Sequence, residues 1–585
     1  MKKLESIVYA KGNPSIKRIG FFLLILLPLI GFFGCNNDSD NPTEEKVGVV
    51  IQEGDESRIS TDNAGVVSTR NEEKTPSLNS ISKSTGSEPV SDMPLVLVAE
   101  VDALTYNGTI MRSTHVCLNG DYAYVSYNYE GDTYLGAVDM IDISDPYTPK
   151  LLASAVFTDT DISSIAYSNG VLYLAGAREF IDGEDSNPAV LLKMTLNDGK
   201  LTDDIDLIDM PGYVGTDVAI GDNYVYGVSG DNGILGAYSY SDNTMAASVT
   251  ISDLQSVGVN NGQVVILQNG AIQVFNASNL SQDLKFVTSS DVPDSKRTID
   301  FYGSSVFAAE GASGTGIYSL LTGEKLNTIP VADATGLDLV ANEIVTNAVS
   351  VNDQHIFVAN GGVGVSVLKI NSESITDLTD FGSLDLDGSS NFVKSEDDLV
   401  FVADGFGGLK ILKMVTAEDA PVAGSGSCDN CTSYPSYSGG SWLNVNSGET
   451  LAYNGSASLA GINVNESLTW CGSLAVSEQL NINSGGTFVM CGALSFGAQY
   501  KTMFINTDAK LDLYGTLTVF GNLTLQPNST LEAEGSITIM GDLLCEPGSN
   551  INFTGSGSTL TIMGNVTNRG VNVIGTYTDT YNKLN

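Results

Sequence analysis

Residues 352–370, NDQHIFVANGGVGVSVLKI, hold a polar turn, an apolar strand, a glycine-rich turn and a second apolar strand. The turn and first strand recur six more times in the chain, as NGDYAYVSYN (119–128), NGVLYLAGA (169–177), GDNYVYGVSG (221–230), NNGQVVILQNG (260–270), YGSSVFAAEG (302–311) and EDDLVFVADG (396–405). Aligning the turns superimposes Gly120, Gly170, Asp222, Gly262, Gly303, Asp353 and Asp397. Repeats of about 40–50 residues with several short strands each are typical of propeller blades, so seven blades are predicted.

The ends of this repeat predict how the propeller closes. The stretch MPLVLVAEVD (93–102) is an apolar strand that follows no blade, and the seventh copy ends at Met414 without a final strand. The N-terminal strand is therefore expected to complete the last blade and to leave no free sheet edge. In the first copy, Ser144, Asp145 and Pro146 interrupt the strands, and we expect them to form the crossover to the next blade, because proline cannot donate to a ladder.

The first copy also carries a recognisable motif, YAYVS (122–126) followed by VDMIDISDPYTPKLLAS (138–154). Copies six and seven contain IFVANGGVGVSVLKI and VFVADGFGGLKILKM, whereas the middle copies match only in their strand cores. Over about residues 94–416 the pattern resembles the LVIVD-repeat family of bacterial β-propellers. The resemblance implies a propeller fold and almost nothing about activity.

A second repeat follows residue 440. Glycines recur about every twenty residues between apolar segments, at Gly472, Gly492, Gly515, Gly535, Gly555 and Gly575. Two short strands per twenty residues, with Asn and Gly at the corners, predict a parallel β-solenoid of about six rungs; a β-sandwich is the alternative. Rows of Thr, Ser and Asn should form a flat polar face, which either binds a repetitive ligand or is simply solvated. The predicted fold class is thus all-β, a seven-bladed propeller followed by a solenoid.

The N-terminus has the pattern of a targeting segment. Five basic residues precede or flank the apolar run FFLLILLPLIGFFG (21–34), which is too short for a comfortable membrane span but suits a signal peptide. Cys35 follows a glycine, which resembles a bacterial lipoprotein signal, although Phe32 stands where leucine is usual. The acidic NNDSDNPTEE after Cys35 resembles the export signal of Bacteroidota surface lipoproteins. The resemblance implies lipidation of Cys35 and an outer-membrane location, on the cell surface or facing the periplasm.

These patterns divide the chain into five segments. They are a signal peptide (1–34), a disordered acidic tether (35–92), the propeller (93–416), a linker with a CxxC motif (417–440) and the solenoid (441–585). The chain carries 69 acidic and 27 basic residues, a net charge of −42, which disfavours binding to nucleic acid and leaves the lipid as the only membrane contact. No cofactor is expected.

The remaining cysteines leave several pairings open. Cys428 and Cys431 form a CxxC pair, and Cys471 and Cys491 should stack on neighbouring rungs. They could form two disulfides in any of the possible pairings, remain as core thiols, or bind zinc with four thiolates. Because an exported protein folds in an oxidising compartment, disulfides are favoured and no metal is predicted.

No catalytic motif stands out in the sequence, so no catalytic residue is predicted. One set of residues does recur: six positions before each turn stands a polar residue, at the start of an apolar strand. In a propeller these residues should converge at one mouth of the channel, either as satisfied strand ends or as a ligand site with Arg297 as its only fixed cation. His115 and Asp217, which follow Thr114 and Thr216 in the chain, are titratable and are added to this set. The hypothetical site therefore comprises Thr114, His115, Ser164, Thr216, Asp217, Ser256, Arg297, Asn347 and Asn391.

The function favoured by the sequence is non-catalytic binding or adhesion to an extracellular glycan, matrix component or partner protein. Two alternatives are an extracellular enzyme that acts on polysaccharide through the propeller channel and a structural component of the envelope.

Overall fold

The computed structural model describes residues 47–67, 94–131, 133–179, 187–289, 296–352, 355–371, 375, 377–416 and 428–584. The predicted signal peptide, Cys35 and most of the predicted tether lie outside these residues, as do 417–427 of the predicted linker. Among the described residues, no helix has the length and hydrophobicity needed to span a bilayer.

The described chain is all-β, as predicted, and its first part is a seven-bladed propeller. Each blade is an antiparallel sheet whose first strand contacts the first strands of both neighbouring blades, which closes a ring around the axis. Blades one to three consist of the strands Arg112–Asn119, Tyr122–Asn128, Gly136–Asp142, Lys150–Phe157; Thr160–Ser168, Val171–Arg178, Ala189–Thr195, Ile205–Asp209; and Gly215–Ile220, Tyr224–Ser229, Ile234–Ser239, Met245–Thr250.

Blades four to seven repeat this plan. Their strands are Leu254–Asn260, Gln263–Gln268, Ala271–Asn276, Gln282–Val287; Ile299–Tyr302, Ser305–Ala309, Thr315–Ser319, Lys325–Ile329; Ala348–Asn352, His355–Ala359, Val365–Ile370, Leu378–Leu384; and Phe392–Glu396, Leu399–Ala403, Leu409–Met414, Leu95–Val101. A short hairpin, Thr105–Tyr106 with Thr109–Ile110, precedes blade one.

The predicted closure is confirmed. Leu95–Val101 pairs antiparallel with Leu409–Met414, so the N-terminal strand supplies the outer strand of blade seven. The pair Glu100 and Lys410 crosses this seam as a buried ion pair, and Asn63 donates to the second carboxylate oxygen of Glu100 at 2.7 Å. The two ends of the propeller are thus joined both by backbone hydrogen bonds and by an ion pair between side chains.

The predicted position of the first crossover is wrong. Ser144, Asp145 and Pro146 lie in a hairpin within blade one, because Lys150–Phe157 returns antiparallel along Gly136–Asp142. Asp145 holds this hairpin through the amide of Tyr147 (3.1 Å) and the hydroxyl of Thr148 (2.8 Å). Pro146 does end the strand. The hydrogen bonds accepted by Asp145, however, stabilise a turn that leads the chain back along the same blade instead of on to the next one. The actual crossover is the two-residue connection 158–159.

The prediction that residues 35–92 form a disordered tether is wrong for 47–67. Val49–Glu53 adds a fifth strand to blade one beside Lys150–Phe157, and Ile59–Ser60 and Gly65–Val67 pair with Leu95–Val101. A short 3-10 turn, Glu56–Arg58, connects them. We call residues 47–67 the strap. The strap mixes apolar and polar residues, and it is ordered because its backbone groups pair with edges of existing sheets while Ala64, Val66 and Val67 pack on the core of the propeller.

The second part of the described chain is a parallel β-solenoid of about seven turns, so the sandwich alternative is excluded. Its strands are Trp442–Val445, Thr450–Asn454, Ala457–Val464, Ser467–Ile482, Thr487–Phe496, Thr502–Ile505, Lys510–Val519, Asn522–Leu525, Thr530–Ile539, Leu543–Cys545, Asn550–Phe553, Ser558–Ile562, Val566–Asn568, Asn572–Ile574 and Tyr577–Asp579. Its interior is a column of Leu, Ile, Val, Met and Phe side chains.

The recurring glycines have a steric reason. Gly472, Gly492, Gly515 and Gly535 stack in register on successive turns. Their φ angles lie between 119° and 141°, and a Cβ on Gly492 would stand 2.1 Å from the carbonyl oxygen of Gly472. Only glycine fits this corner, which explains the twenty-residue spacing seen in the sequence.

The strap also joins the propeller to the solenoid. The amide of Val66 donates to the carbonyl of Gly497 at 2.9 Å, and Asp62 accepts from Gln499 at 3.0 Å. Tyr147 of the blade-one hairpin packs near Phe520, with ring centroids 6.2 Å apart. Residues 47–67 therefore touch blade one, blade seven and the solenoid at once.

Candidate functional site

The seven recurring polar residues lie at the starts of the innermost strands, and most of them bond to the next blade. Four of them donate to backbone carbonyls across a blade boundary: Thr114 to Ile162 (3.0 Å), Thr216 to Leu254 (3.0 Å), Asn347 to Ser390 (3.1 Å) and Asn391 to Ser113 (3.1 Å). The ring expected at the channel mouth is thus present, but its polar groups are occupied in holding neighbouring blades together.

Asp217 is the hub of this ring. It accepts from the Ser164 hydroxyl of blade two (2.6 Å), and from the Ser256 hydroxyl (2.5 Å) and Val257 amide (3.0 Å) of blade four. It also accepts from the amide of Val218 at 2.9 Å. Four donors from three blades satisfy a buried carboxylate, so Asp217 is a structural junction in this state of the molecule.

Arg297 does not present its charge to the channel, contrary to the expectation from the sequence. Its side chain is fully buried, and Nε donates to the carbonyl of Ala309, in the second strand of its own blade, at 3.0 Å. Two consecutive basic residues, Lys296 and Arg297, precede the first strand of blade five, and the side chain of Arg297 reaches the second strand of that blade.

Lys296 supplies the cation of the channel mouth instead. Its Nζ donates to the carbonyls of Thr114 (2.8 Å) in blade one and Ser163 (2.6 Å) in blade two, and lies 5.4 Å from the ring centre of Phe392 in blade seven. A side chain from blade five therefore crosses the axis. Burial lowers the pKa of Lys296 to about 7, although the charge of Asp217 opposes this shift. Lys296 stands one position outside the recurring pattern, so no periodic signal in the sequence marks it.

His115 packs beside this lysine. Its ring stacks on Phe392 with centroids 3.7 Å apart, and its buried Nδ1 has no hydrogen-bond partner among the described residues. Burial, and then the charge of Lys296, hold the pKa of His115 well below its ordinary value. The imidazole is therefore neutral at physiological pH.

A second layer of side chains lies farther along the same innermost strands. Asp300 accepts from the amides of Val351 (2.8 Å) and Phe301 (2.9 Å). Burial raises the pKa of the Cys117 thiol to about 11, so it is protonated and a poor nucleophile. Among the described residues, the carboxylates of Asp217 and Asp300 and the ammonium of Lys296 are hydrogen-bonded, and the charge of Lys394, in the first strand of blade seven, also acts on His115, Cys117 and Asp300.

Four cysteines form two disulfides, Cys428–Cys491 and Cys431–Cys471. Each cysteine of the CxxC motif is bonded to a different turn of the solenoid, one of the pairings that the sequence left open. Residues 428–440 therefore cap the solenoid rather than belonging to a linker, and Tyr437 packs against Tyr453 and Trp470. The Sγ atoms of Cys428, Cys431 and Cys491 lie within 4.8 Å of one another, a spacing that would suit a metal. They fit no zinc ion here, because disulfide sulfurs are not the thiolates that zinc requires.

The polar faces of the solenoid differ in what covers them. On one face the outward residues Ser473, Ala493 and Ser495 are buried, and Ala493 and Phe520 belong to the hydrophobic core shared with the propeller. The expected flat polar surface is therefore partly an internal contact. On another face, the outward row of Asn444, Asn463 and Asn481 remains at least partly open to solvent.

Comparisons with known proteins find only distant structural likenesses. No protein-family model matches the chain, and no curated protein does so. Solved structures to which this chain is similar include a chain of the mitotic checkpoint complex (12% identity, 59% of this chain and 96% of that chain, TM-score 0.39). The RRP9 WD40 repeats (12%, 56% and 99%, 0.41) and the computationally designed Ika8 protein (13%, 56% and 98%, 0.35) also resemble it.

Proposed function

We propose that this protein is a non-catalytic binding or adhesion module held outside a bacterial cell by a lipid on Cys35. Its ligand is an extracellular glycan, a matrix component or a partner protein, with no nucleic acid involved. The observation that carries the proposal is the contrast between the two modules. The polar groups at the channel mouth of the propeller form hydrogen bonds between neighbouring blades, whereas one face of the solenoid presents amide side chains to the outside in register.

The remaining sequence features agree with this proposal. The resemblance to LVIVD-repeat propellers and to Bacteroidota surface lipoproteins supports an outer-membrane location on the exterior of the cell. The disulfides support folding in an oxidising compartment. We propose that the propeller serves as the scaffold that presents the solenoid, because the strap fastens the two modules together.

Binding is tested on the chain of residues 36–585, which lacks the signal segment and the lipidation site. The protein is applied to an array of neutral and anionic polysaccharides and to extracellular matrix proteins. Reproducible, saturable binding to one class supports the proposal, and the absence of any binding contradicts adhesion to glycans and matrix components and leaves only the partner protein. A Cys35→Ser variant of the full chain, expressed in a bacterium with lipoprotein processing, should lose metabolic labelling with palmitate and its resistance to extraction from membranes.

One observation favours the enzyme alternative. Lys296, with a pKa near neutrality, and the neutral His115 converge at the channel mouth, and shifted pKa values cluster at catalytic sites. In this alternative, a polysaccharide would displace Lys296 from its two carbonyl partners. Release of reducing ends from polysaccharide by the wild-type protein, abolished in Lys296→Met, would establish it in place of the adhesion function.

A further inference from the structure

The first turn of the solenoid carries an indole ring on its outer surface. Trp442 is half-buried and stands in register with Gly461 and Gln479 on the next two turns. A Cβ built on Gly461 would lie 2.2 Å from Cζ3 and 2.3 Å from Cε3 of this indole. The six-membered ring thus covers Gly461, and any larger residue at 461 would push it away from the sheet.

The row beside Trp442 is a network of ordered amides. Asn463 donates to Asn444 Oδ1 at 3.0 Å, and its own oxygen accepts from Gln479 (2.7 Å) and Asn481 (3.2 Å). These bonds hold four side chains in place before a ligand arrives, which lowers the entropic cost of binding. Within the described residues, the Asn444 amide nitrogen, Gln479 Oε1 and Asn481 Oδ1 are left without a protein partner.

The charge around this surface decides the class of ligand. Residues 441–509 contain four acidic side chains, Glu449, Glu466, Glu478 and Asp508, and one basic side chain, Lys501, which is paired with Glu478. Anionic polymers are repelled by this field and find no free cation there. Neutral amides both donate and accept hydrogen bonds, as sugar hydroxyls do, and an aromatic face packs against the C–H face of a pyranose ring.

We infer that Trp442, Gln479, Asn444, Asn463 and Asn481 form a binding strip for a neutral polysaccharide, a site that deepens and rests on the proposed adhesion function. The sugar ring stacks on the indole of Trp442. The neighbouring sugars of the chain run across the solenoid turns and bond to the amides, which repeat at the strand spacing of about 4.8 Å. We call these five residues the amide strip.

The test uses residues 36–585 and the soluble polysaccharides laminarin, galactomannan and amylose, with alginate and polygalacturonate as anionic comparators. Affinity electrophoresis should show retardation of the wild-type protein by at least one neutral polymer and by neither anionic polymer. Trp442→Ala should weaken this binding by about tenfold or more, because aromatic anchors dominate binding energy. Trp442→Phe keeps an aromatic face and should retain most of the affinity.

Tyr500→Ala is the matched control, since Tyr500 is an aromatic residue of the same module, 83% exposed and outside the strip. It should bind as the wild type does.

The chain has only two tryptophans, and Trp470 is fully buried, so quenching of fluorescence by acrylamide reports mainly on Trp442. The bound polysaccharide should reduce that quenching in the wild-type protein.

The outcomes separate the site from the function. Loss of binding in Trp442→Ala with binding kept in Tyr500→Ala, together with protection of Trp442 from acrylamide, supports the amide strip. Neutral-polymer binding that survives Trp442→Ala unchanged overturns the strip while the adhesion function stands. Preference for the anionic polymers also overturns it. If the array of polysaccharides and matrix proteins finds no ligand at all, adhesion to glycans and matrix components fails and the strip fails with it.

Discussion

At the scale of single residues, hydrogen bonds in the interior of the propeller determine which polar groups remain available to bind a ligand. Polar residues of the types that line ligand sites recur here, yet their side chains donate hydrogen bonds to a neighbouring blade, as in Thr114, Ser164 and Asn347. Lys296, which no repeat pattern marks, places its ammonium across the axis. A buried polar group must find a partner, and in a closed ring the nearest partners belong to the next blade.

Lys296 should make stability depend on pH. The pKa of this lysine falls from the ordinary 10.5 to about 7 in the folded protein, chiefly through burial. Between these values the unfolded chain holds a proton that the folded chain has released, so the free energy of unfolding rises with pH across this window. Below pH 7 both states are protonated and the cost of burying the charge is present in full.

Denaturant unfolding of the wild type and of Lys296→Met at pH 6, 7 and 9.5 tests this expectation. The free energy of unfolding of the wild type, measured relative to the variant, should rise by at least about 1 kcal/mol between pH 7 and 9.5. It should change little between pH 6 and 7 compared with that rise. Parallel pH curves for the two proteins would show that Lys296 keeps an ordinary pKa in the fold.

At the scale of elements, short segments acquire their structure from the edges they join. The strap strands are ordered by blades one and seven, and the segment after residue 428 is ordered by two disulfides to the first turns of the solenoid. Neither segment has the alternating apolar pattern that marks a strand in its own right. For this reason the sequence indicated a tether and a linker where the structure has a strap and a cap.

The disulfides predict a definite count of reactive thiols. Residues 36–585 hold six cysteines, since the chain has seven and Cys35 is excluded. Cys117 and Cys545 are free and four are paired, so a thiol reagent should detect two thiols after denaturation without reductant and six after reduction. Six thiols before reduction, accompanied by released zinc, would instead support the four-thiolate site.

Removing the bridges should affect the cap and leave the propeller intact. The paired variant Cys431→Ser with Cys471→Ser breaks a link that spans 40 residues and should lower the stability of the solenoid by about 2–5 kcal/mol. Hydrogen exchange should rise in residues 442–482 first. The blade strands of the propeller are the internal control and should keep their protection.

At the scale of the whole molecule, the strap joins parts of the chain that are far apart in sequence. Arg58 forms a bidentate pair with Asp139 of blade one at 2.6 and 3.1 Å, and donates twice to the carbonyl of Asp102, which follows the closing strand of blade seven. Asp139 is completely buried and also accepts from Ser154. The same segment reaches Gly497 and Gln499 of the solenoid.

Replacing Arg58 should therefore weaken the assembly as a unit. Arg58→Met leaves the Asp139 carboxylate buried without its counter-charge, and we expect a loss of about 3–5 kcal/mol in the free energy of unfolding. Limited proteolysis should then cut within residues 47–67. The control is Arg112→Met, because Arg112 pairs with the exposed Glu130 and its loss should cost under about 1 kcal/mol. Equal effects of the two substitutions would contradict the role assigned to the strap.

The sequence by itself determined the propeller with its closing strand, and the solenoid with its column of glycines. The turn residues, the alternation within strands and the repeat length are local signals, and they recur in each blade and in each turn of the solenoid. Only the tertiary structure decided the strap, the disulfide pairing, the burial of Arg297 and the position of Lys296. These features depend on which residues meet across blades and turns, as when Lys296 bonds to a carbonyl 182 positions away. Such distant contacts leave no periodic trace in the chain, because each of them occurs once.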